Sequence, residues 1–120
     1  MSTHVLIAED DRALSHALEL KLQHEGFTVS VAHDGQQCME LIKQPHDVLL
    51  LDLMMPGLDG FQILTEMKHI NNKTPTFVLS NLSQHEDEVR TLSLGAKRYF
   101  VKSNTPLSEI VEAIKQEVKK

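Results

Sequence analysis

Four places in the 120-residue chain set chemically capable side chains directly behind an apolar burst. HVLIA (4–8) runs into Glu9, Asp10 and Asp11, and DVLLL (47–51) runs into Asp52. TFVLS (76–80) closes on Ser80 ahead of Asn81, and RYFV (98–101) delivers Lys102. Carboxylates, a hydroxyl and an ammonium together suit a hard divalent cation beside a nucleophile. Mg2+ takes oxygen ligands in octahedral geometry and keeps several waters, so one or two carboxylates and a carbonyl are enough. Glu9, Asp10 and Asp52 against Lys102 leave an empty site at about −2 by formal count, which one Mg2+ brings near zero, so that a phosphate donor can approach. Any one of these acids reads equally well as a helix cap, Asp10 or Asp11 especially. Capping does not explain acids, a hydroxyl and a lysine behind four separate strands.

The elements that must position these groups are visible in the hydrophobic pattern. Besides the four bursts, FTVSVA (27–32) alternates apolar Phe27, Val29 and Val31 with Thr28 and Ser30, as a half-exposed edge strand does. The other four alternate little and read as strands covered on both faces. Helical segments lie between. RALSHALELKLQHE carries Leu14, Ala17, Leu18 and Leu22 on one stripe and stops at Gly26; GQQCMELIKQ is a short helix ended before Pro45. GFQILTEMKHI follows Asp59 as N-cap and stops at Asn71-Asn72, and SQHEDEVRTLSL opens with a Ser83-x-x-Glu86 capping box and ends at Gly95. The last helix starts at Thr105-Pro106 and aligns Leu107, Ile110, Val111, Ile114 and Val118. Five strands alternating with five helices predict a single three-layer α/β domain over 1–120 with a parallel sheet. Ligands of such sheets bind beyond the carboxyl ends of the strands, where the polar groups above fall. The second strand ends in His33-Asp34, which an edge position sets apart from them.

Composition narrows the function. A formal charge of −5 argues against a nucleic-acid-binding surface. No apolar run is long enough for a membrane span, and the acids that follow HVLIA do not fit a signal peptide, so a cytoplasmic protein is expected. The single cysteine, Cys38, shares a helical face with Leu41 and Ile42 and reads as core. The seven histidines show no short metal-binding spacing and read as surface and loop residues.

Over nearly its whole length the sequence resembles the receiver domains of bacterial two-component response regulators. VLIAEDD (5–11), LLLDLMMPGLDG (50–60), VLS (78–80) and GAKRYFVK (95–102) carry the resemblance by their order and spacing. It implies a doubly wound, flavodoxin-like (βα)5 fold with strand order 2-1-3-4-5. It makes Asp52 the phosphoacceptor, attacking a phosphohistidine of a partner histidine kinase or phosphotransfer protein. By the same resemblance Asp10, Asp52 and the main-chain carbonyl of Met54 hold Mg2+, or Mn2+ in its place, with Glu9 acting directly or through water. Lys102 would stabilise the phosphoryl oxygens. Ser80 and Tyr99 would form the switch that alters the surface of helix 4, strand 5 and helix 5 and controls a downstream protein.

Three departures from the family pattern stand out. Lys102 is followed by Ser103 rather than proline, which leaves the isomer of that bond open. Asn81 stands where a small residue is common. Met54 and Leu82, apolar at the two positions flanking the entry of hydrolytic water, predict a long-lived phosphoryl group. GAKRYF also lacks the acidic pair that precedes the tyrosine in winged-helix transcription factors. The expectation is therefore a stand-alone, chemotaxis-receiver-like regulator without an effector domain, a monomer or phosphorylation-dependent dimer, with protein partners and no nucleic acid. A degenerate receiver that serves as an interaction module without phosphorylation is the alternative. Haloacid-dehalogenase-type phosphatases carry a second acid where Met54 stands, so turnover on external substrates is not expected. A nucleotide-binding protein on this fold would need a glycine-rich loop where AEDDRAL stands.

Overall fold

The chain winds twice, in opposite directions, from its first strand. In the computed structural model, which describes residues 3–82 and 84–119, β1 (His4–Ala8) leads through α1 (Arg12–His24) to β2 (Thr28–Ala32) on one side. From β2 the chain crosses back through α2 (Gly35–Leu41) to β3 (Val48–Leu51), then continues outward through α3 (Gly60–His69), β4 (Thr76–Ser80), α4 (His85–Ser93) and β5 (Arg98–Val101) to α5 (Leu107–Val118). All pairings are parallel and the order is β2-β1-β3-β4-β5. Because parallel crossovers are right-handed, reversing the winding direction moves the helices to the opposite face. The doubly wound, flavodoxin-like arrangement expected from the sequence is the one observed.

The strand period of two divides the core into two halves. Leu6, Ala8, Leu49, Leu51 and Val78 point to one face and pack with Cys38 of α2, Ile42 just after it, and Ile63 and Met67 of α3. Val5, Ile7, Val48, Leu50, Phe77 and Leu79 point to the other and pack with Leu18 and Leu22 of α1 and with Ile110 and Ile114 of α5. Cys38 lies within this core, and burial pushes its thiol up to about 12, so it stays a neutral packing group at physiological pH.

β2 is an edge strand and half exposed, as its alternation predicts. β5 forms the other edge, as the order 2-1-3-4-5 implies, but it is not covered on both faces: Arg98 is exposed and only Phe100 is fully buried, because a five-stranded open sheet must leave two strands half covered. Asp11, Asp34 and Asp59 cap α1, α2 and α3 through side-chain bonds to Leu14, Gln37 and Gln62 N–H. At α3 the bond is reciprocated by Gln62 as a full capping box. The expected Ser83-x-x-Glu86 box is not the start of α4: the N-cap is Gln84, without a side-chain cap, which sets Glu86 one position too early, and Ser83 lies outside the described residues. α5 begins at Leu107 rather than Thr105, whose hydroxyl instead donates to the Val101 carbonyl at 2.8 Å. His4 also departs from a surface reading. It lies within β1, half-buried, with Nε2 2.8 Å from the Ser30 hydroxyl and its ring against His46.

Candidate functional site

β1 and β3 lie side by side at the point where the winding reverses, so a crevice opens beyond their carboxyl ends. Glu9 leaves β1 with its N–H donating to the Ala32 carbonyl at 2.9 Å, and Asp52 leaves β3 with its N–H donating to the Ala8 carbonyl at 2.9 Å. These ladder bonds carry both acids down into the sheet end, where Glu9 is 2% and Asp52 3% exposed. Asp10, one residue further, is exposed. One carboxylate oxygen from each of Glu9, Asp10 and Asp52 lies within 4.8 Å of the others.

Lys102 completes the cluster from the end of β5. Its Nζ stands 2.8 Å from Glu9 Oε1 and 3.2 Å from Asp52 Oδ2. The contact with Glu9 is an ion pair without hydrogen-bond alignment, so the buried Oε1 has no hydrogen-bond partner. Oε2 accepts the Asp11 N–H at 3.1 Å, and Asp52 Oδ1 accepts the Met54 N–H at 3.1 Å. The bond from Lys102 to Ser103 is trans, and residues 102–104 form a 3-10 turn.

The charges are strained in a consistent direction. Burial raises Glu9 to about 7, against the opposing pull of Lys102 and the Asp11 N–H. Burial likewise raises Asp52, while the Met54 N–H, Glu9 and Lys102 work to lower it. For Lys102, burial works to lower the ammonium, but Glu9 and Asp52 outweigh it and the net shift is upward. Two carboxylates whose burial opposes their charged form, served by one lysine, mark a site short of positive charge. Oxygen-only donors, with one buried oxygen left without a hydrogen bond, fit Mg2+ or Mn2+.

Ser80 and Tyr99 meet on a single residue, Leu82. Ser80 is wholly buried at the end of β4, and its hydroxyl accepts the Leu82 N–H at 3.1 Å. Tyr99 is half-buried, and its hydroxyl donates to the Leu82 carbonyl at 2.6 Å. Burial raises the tyrosine hydroxyl, the Ser80 hydroxyl opposes this, and Asp87 and Glu88 add to it. Sequence reasoning placed both residues but not Leu82 as the link between them, since main-chain bonds have no side-chain signature. It also set His33 apart from the acids. His33 Nδ1 in fact lies 3.1 Å from the Glu9 carbonyl. Asp11 serves as the α1 cap, Asn81 is exposed, Leu82 is half-buried and the Met54 side chain is 58% exposed.

A buried carboxylate paired with lysine lies beside two further acids at the reversal point of a doubly wound α/β sheet, a cluster compatible with a divalent cation. The family model for the response regulator receiver domain matches residues 5–115, and the chain belongs to that family. It acts as a signalling module of two-component systems rather than as a turnover enzyme. The chain is 41% identical over 98 residues to the transcriptional regulatory protein CpxR of Klebsiella pneumoniae subsp. pneumoniae (strain HS11286), which covers 82% of this chain and 42% of that protein. The response regulator GtcR of Aneurinibacillus migulanus is 35% identical over 111 residues, 92% of this chain and 46% of that protein. Among solved structures, the receiver domain of the Francisella response regulator 1452 superposes with a TM-score of 0.94 at 30% identity, over 98% of each chain. The chain spans less than half the length of the curated relatives it matches. The expectation of a stand-alone regulator finds no support among them, and relatives named as transcriptional regulators do not support the expectation of no nucleic-acid partner. Among the described residues, no helix is long and apolar enough to cross a membrane.

Proposed function

We propose that the chain is a phosphoacceptor switch, and the ion pair of buried Asp52 with Lys102 is the observation that carries the reading. Asp52 attacks a phosphohistidine of a partner histidine kinase or phosphotransfer protein. An oxygen–phosphorus bond forms, the nitrogen–phosphorus bond breaks, and the electron pair leaves with the imidazole nitrogen. Asp10, Asp52 and the Met54 carbonyl would hold Mg2+, with Glu9 beside it, and the ion when bound would supply positive charge to the phosphoryl group. Lys102 moves from the carboxylates to a phosphoryl oxygen. Ser80 turns its hydroxyl toward the phosphate and gives up the Leu82 N–H, which loosens the loop that Tyr99 also holds.

Moving a two-state equilibrium from 1:99 to 99:1 needs about 5.5 kcal/mol of differential interaction. Two or three charge-assisted hydrogen bonds at about 1.5–3 kcal/mol each are of that order. The change is read on α4, β5 and α5 by a downstream protein, in a cytoplasmic setting, and this chain forms one domain. The names of the relatives point to transcription as an output. The −5 charge sets this domain itself against DNA, so such control would pass through what the domain addresses.

The test is intact mass after incubation with acetyl phosphate and Mg2+, beside Asp52→Asn. One phosphoryl adduct is expected on the wild type, absent without metal and absent from the variant. A folded wild type that takes no adduct and binds no fluoroberyllate would instead favour an interaction module that works unphosphorylated.

A further inference from the structure

The turn His33–Asp34–Gly35 joins β2 to α2 at the sheet edge and supplies none of the clustered acids, yet it touches both loops that do. Both main-chain groups of Glu9 are held by consecutive residues at the end of β2. The Glu9 N–H donates to the Ala32 carbonyl at 2.9 Å, and the Glu9 carbonyl lies 3.1 Å from His33 Nδ1. A carbonyl can only accept, so Nδ1 carries the proton in this bond. Two residues on, the Gly35 N–H donates to the Pro56 carbonyl at 3.2 Å, inside the loop that begins at Asp52. The approach is close: a Cβ on Gly35 would stand 2.1 Å from the Leu58 carbonyl oxygen. The turn is itself locked, since Gln37 N–H donates to Asp34 Oδ1 and Gln37 Oε1 accepts the His33 N–H, each at 2.8 Å.

We infer that His33 is a positioning residue for the cation site, fixing the Glu9–Asp10 peptide from a turn braced against the Asp52 loop. The inference rests on the receiver chemistry proposed above. The Glu9 carbonyl is one end of the peptide plane whose other end is the Asp10 N–H. Holding that carbonyl limits rotation of the plane, and with it the direction in which the exposed Asp10 side chain leaves the backbone. Without this tie, repulsion among three clustered carboxylates turns Asp10 outward into water.

The test measures Mg2+ affinity by calorimetry and acetyl phosphate labelling by intact mass for wild type, His33→Ala and His33→Asn. The Asn side-chain amide puts an N–H where Nδ1 stands. Removing a group that orients a metal ligand typically costs about tenfold in affinity. His33→Ala is expected to bind Mg2+ about tenfold more weakly, to label slowly at limiting Mg2+ and to recover at saturating Mg2+. Its metal-free melting temperature stays near that of the wild type, because the ring is half-exposed, and His33→Asn restores affinity. Wild-type affinity in His33→Ala, a loss that tracks metal-free stability, or no rescue by Asn would each overturn the inference while a labelled wild type left the receiver chemistry standing. A wild type that neither binds Mg2+ nor takes a phosphoryl group would remove both.

Discussion

Glu9 sets the resting electrostatics of the site. Its carboxyl is raised to about 7 in the fold, burial being the main cause. A raised acid means the folded state binds a proton that the unfolded chain has already released, so this group favours folding at low pH. Its contribution falls as pH rises from about 4.5 toward 7 and is level above that. Burial raises Asp52 in the same direction, while Lys115 lowers Glu25 in the opposite one, so the measurement is a difference. Denaturant unfolding of metal-free wild type minus Glu9→Gln, taken at pH 5 and pH 8, should show the wild type relatively weaker at pH 8. Saturating Mg2+, which requires the charged form, should cancel or reverse that trend. An identical pH slope in the two proteins would mean that Glu9 ionises as freely in the fold as in the unfolded chain.

Among the elements, α3 and α4 are built to different standards. α3 begins with a reciprocal Asp59–Gln62 box and buries Ile63, Leu64 and Met67. Asp59→Ala removes one side of that box and should cost about 1 kcal/mol of stability by chemical denaturation. A change near zero would show that water replaces the cap. α4 has no side-chain cap and buries only Thr91, leaving Val89 and Leu92 exposed. What ties it down lies at its ends and sides: Leu82 bonded to Ser80 and Tyr99 ahead of it, and Arg90 4.0 Å over the Phe61 ring of α3. A helix held by so few contacts shifts at little energetic cost.

For the molecule as a whole, this uneven construction would give the proposed switch a direction. The half of the core beneath α1 and α5 and the half beneath α2 and α3 are both densely apolar, so they do not repack for a few kcal/mol. On the proposed function, the strain of a new phosphoryl group would therefore be relieved along the weakly held loop and α4. Backbone amide shifts on adding fluoroberyllate and Mg2+ should cluster at residues 80–82, α4 and β5 beyond the immediate site. Shifts confined to the acids and Lys102, with α4 silent, would place the output elsewhere.

The sequence by itself determined the alternation of strands and helices, the start of α3 at its capping Asp59, and the set Glu9, Asp10, Asp52, Ser80 and Lys102 at strand ends. These are local facts: periodicity and capping act within a few residues, and a polar group behind an apolar run is visible without any partner. Tertiary structure alone decided three others. β5 came out half covered rather than covered on both faces, because the exposure of a strand depends on all its neighbours at once. α4 starts at His85 behind an N-cap Gln84 without a side-chain cap, which puts Glu86 one position short of where a capping box needs it. His33 came to hold the Glu9 carbonyl across 24 residues of sequence. A main-chain acceptor bonds whichever donor the fold brings near, and no spacing in the chain records that meeting.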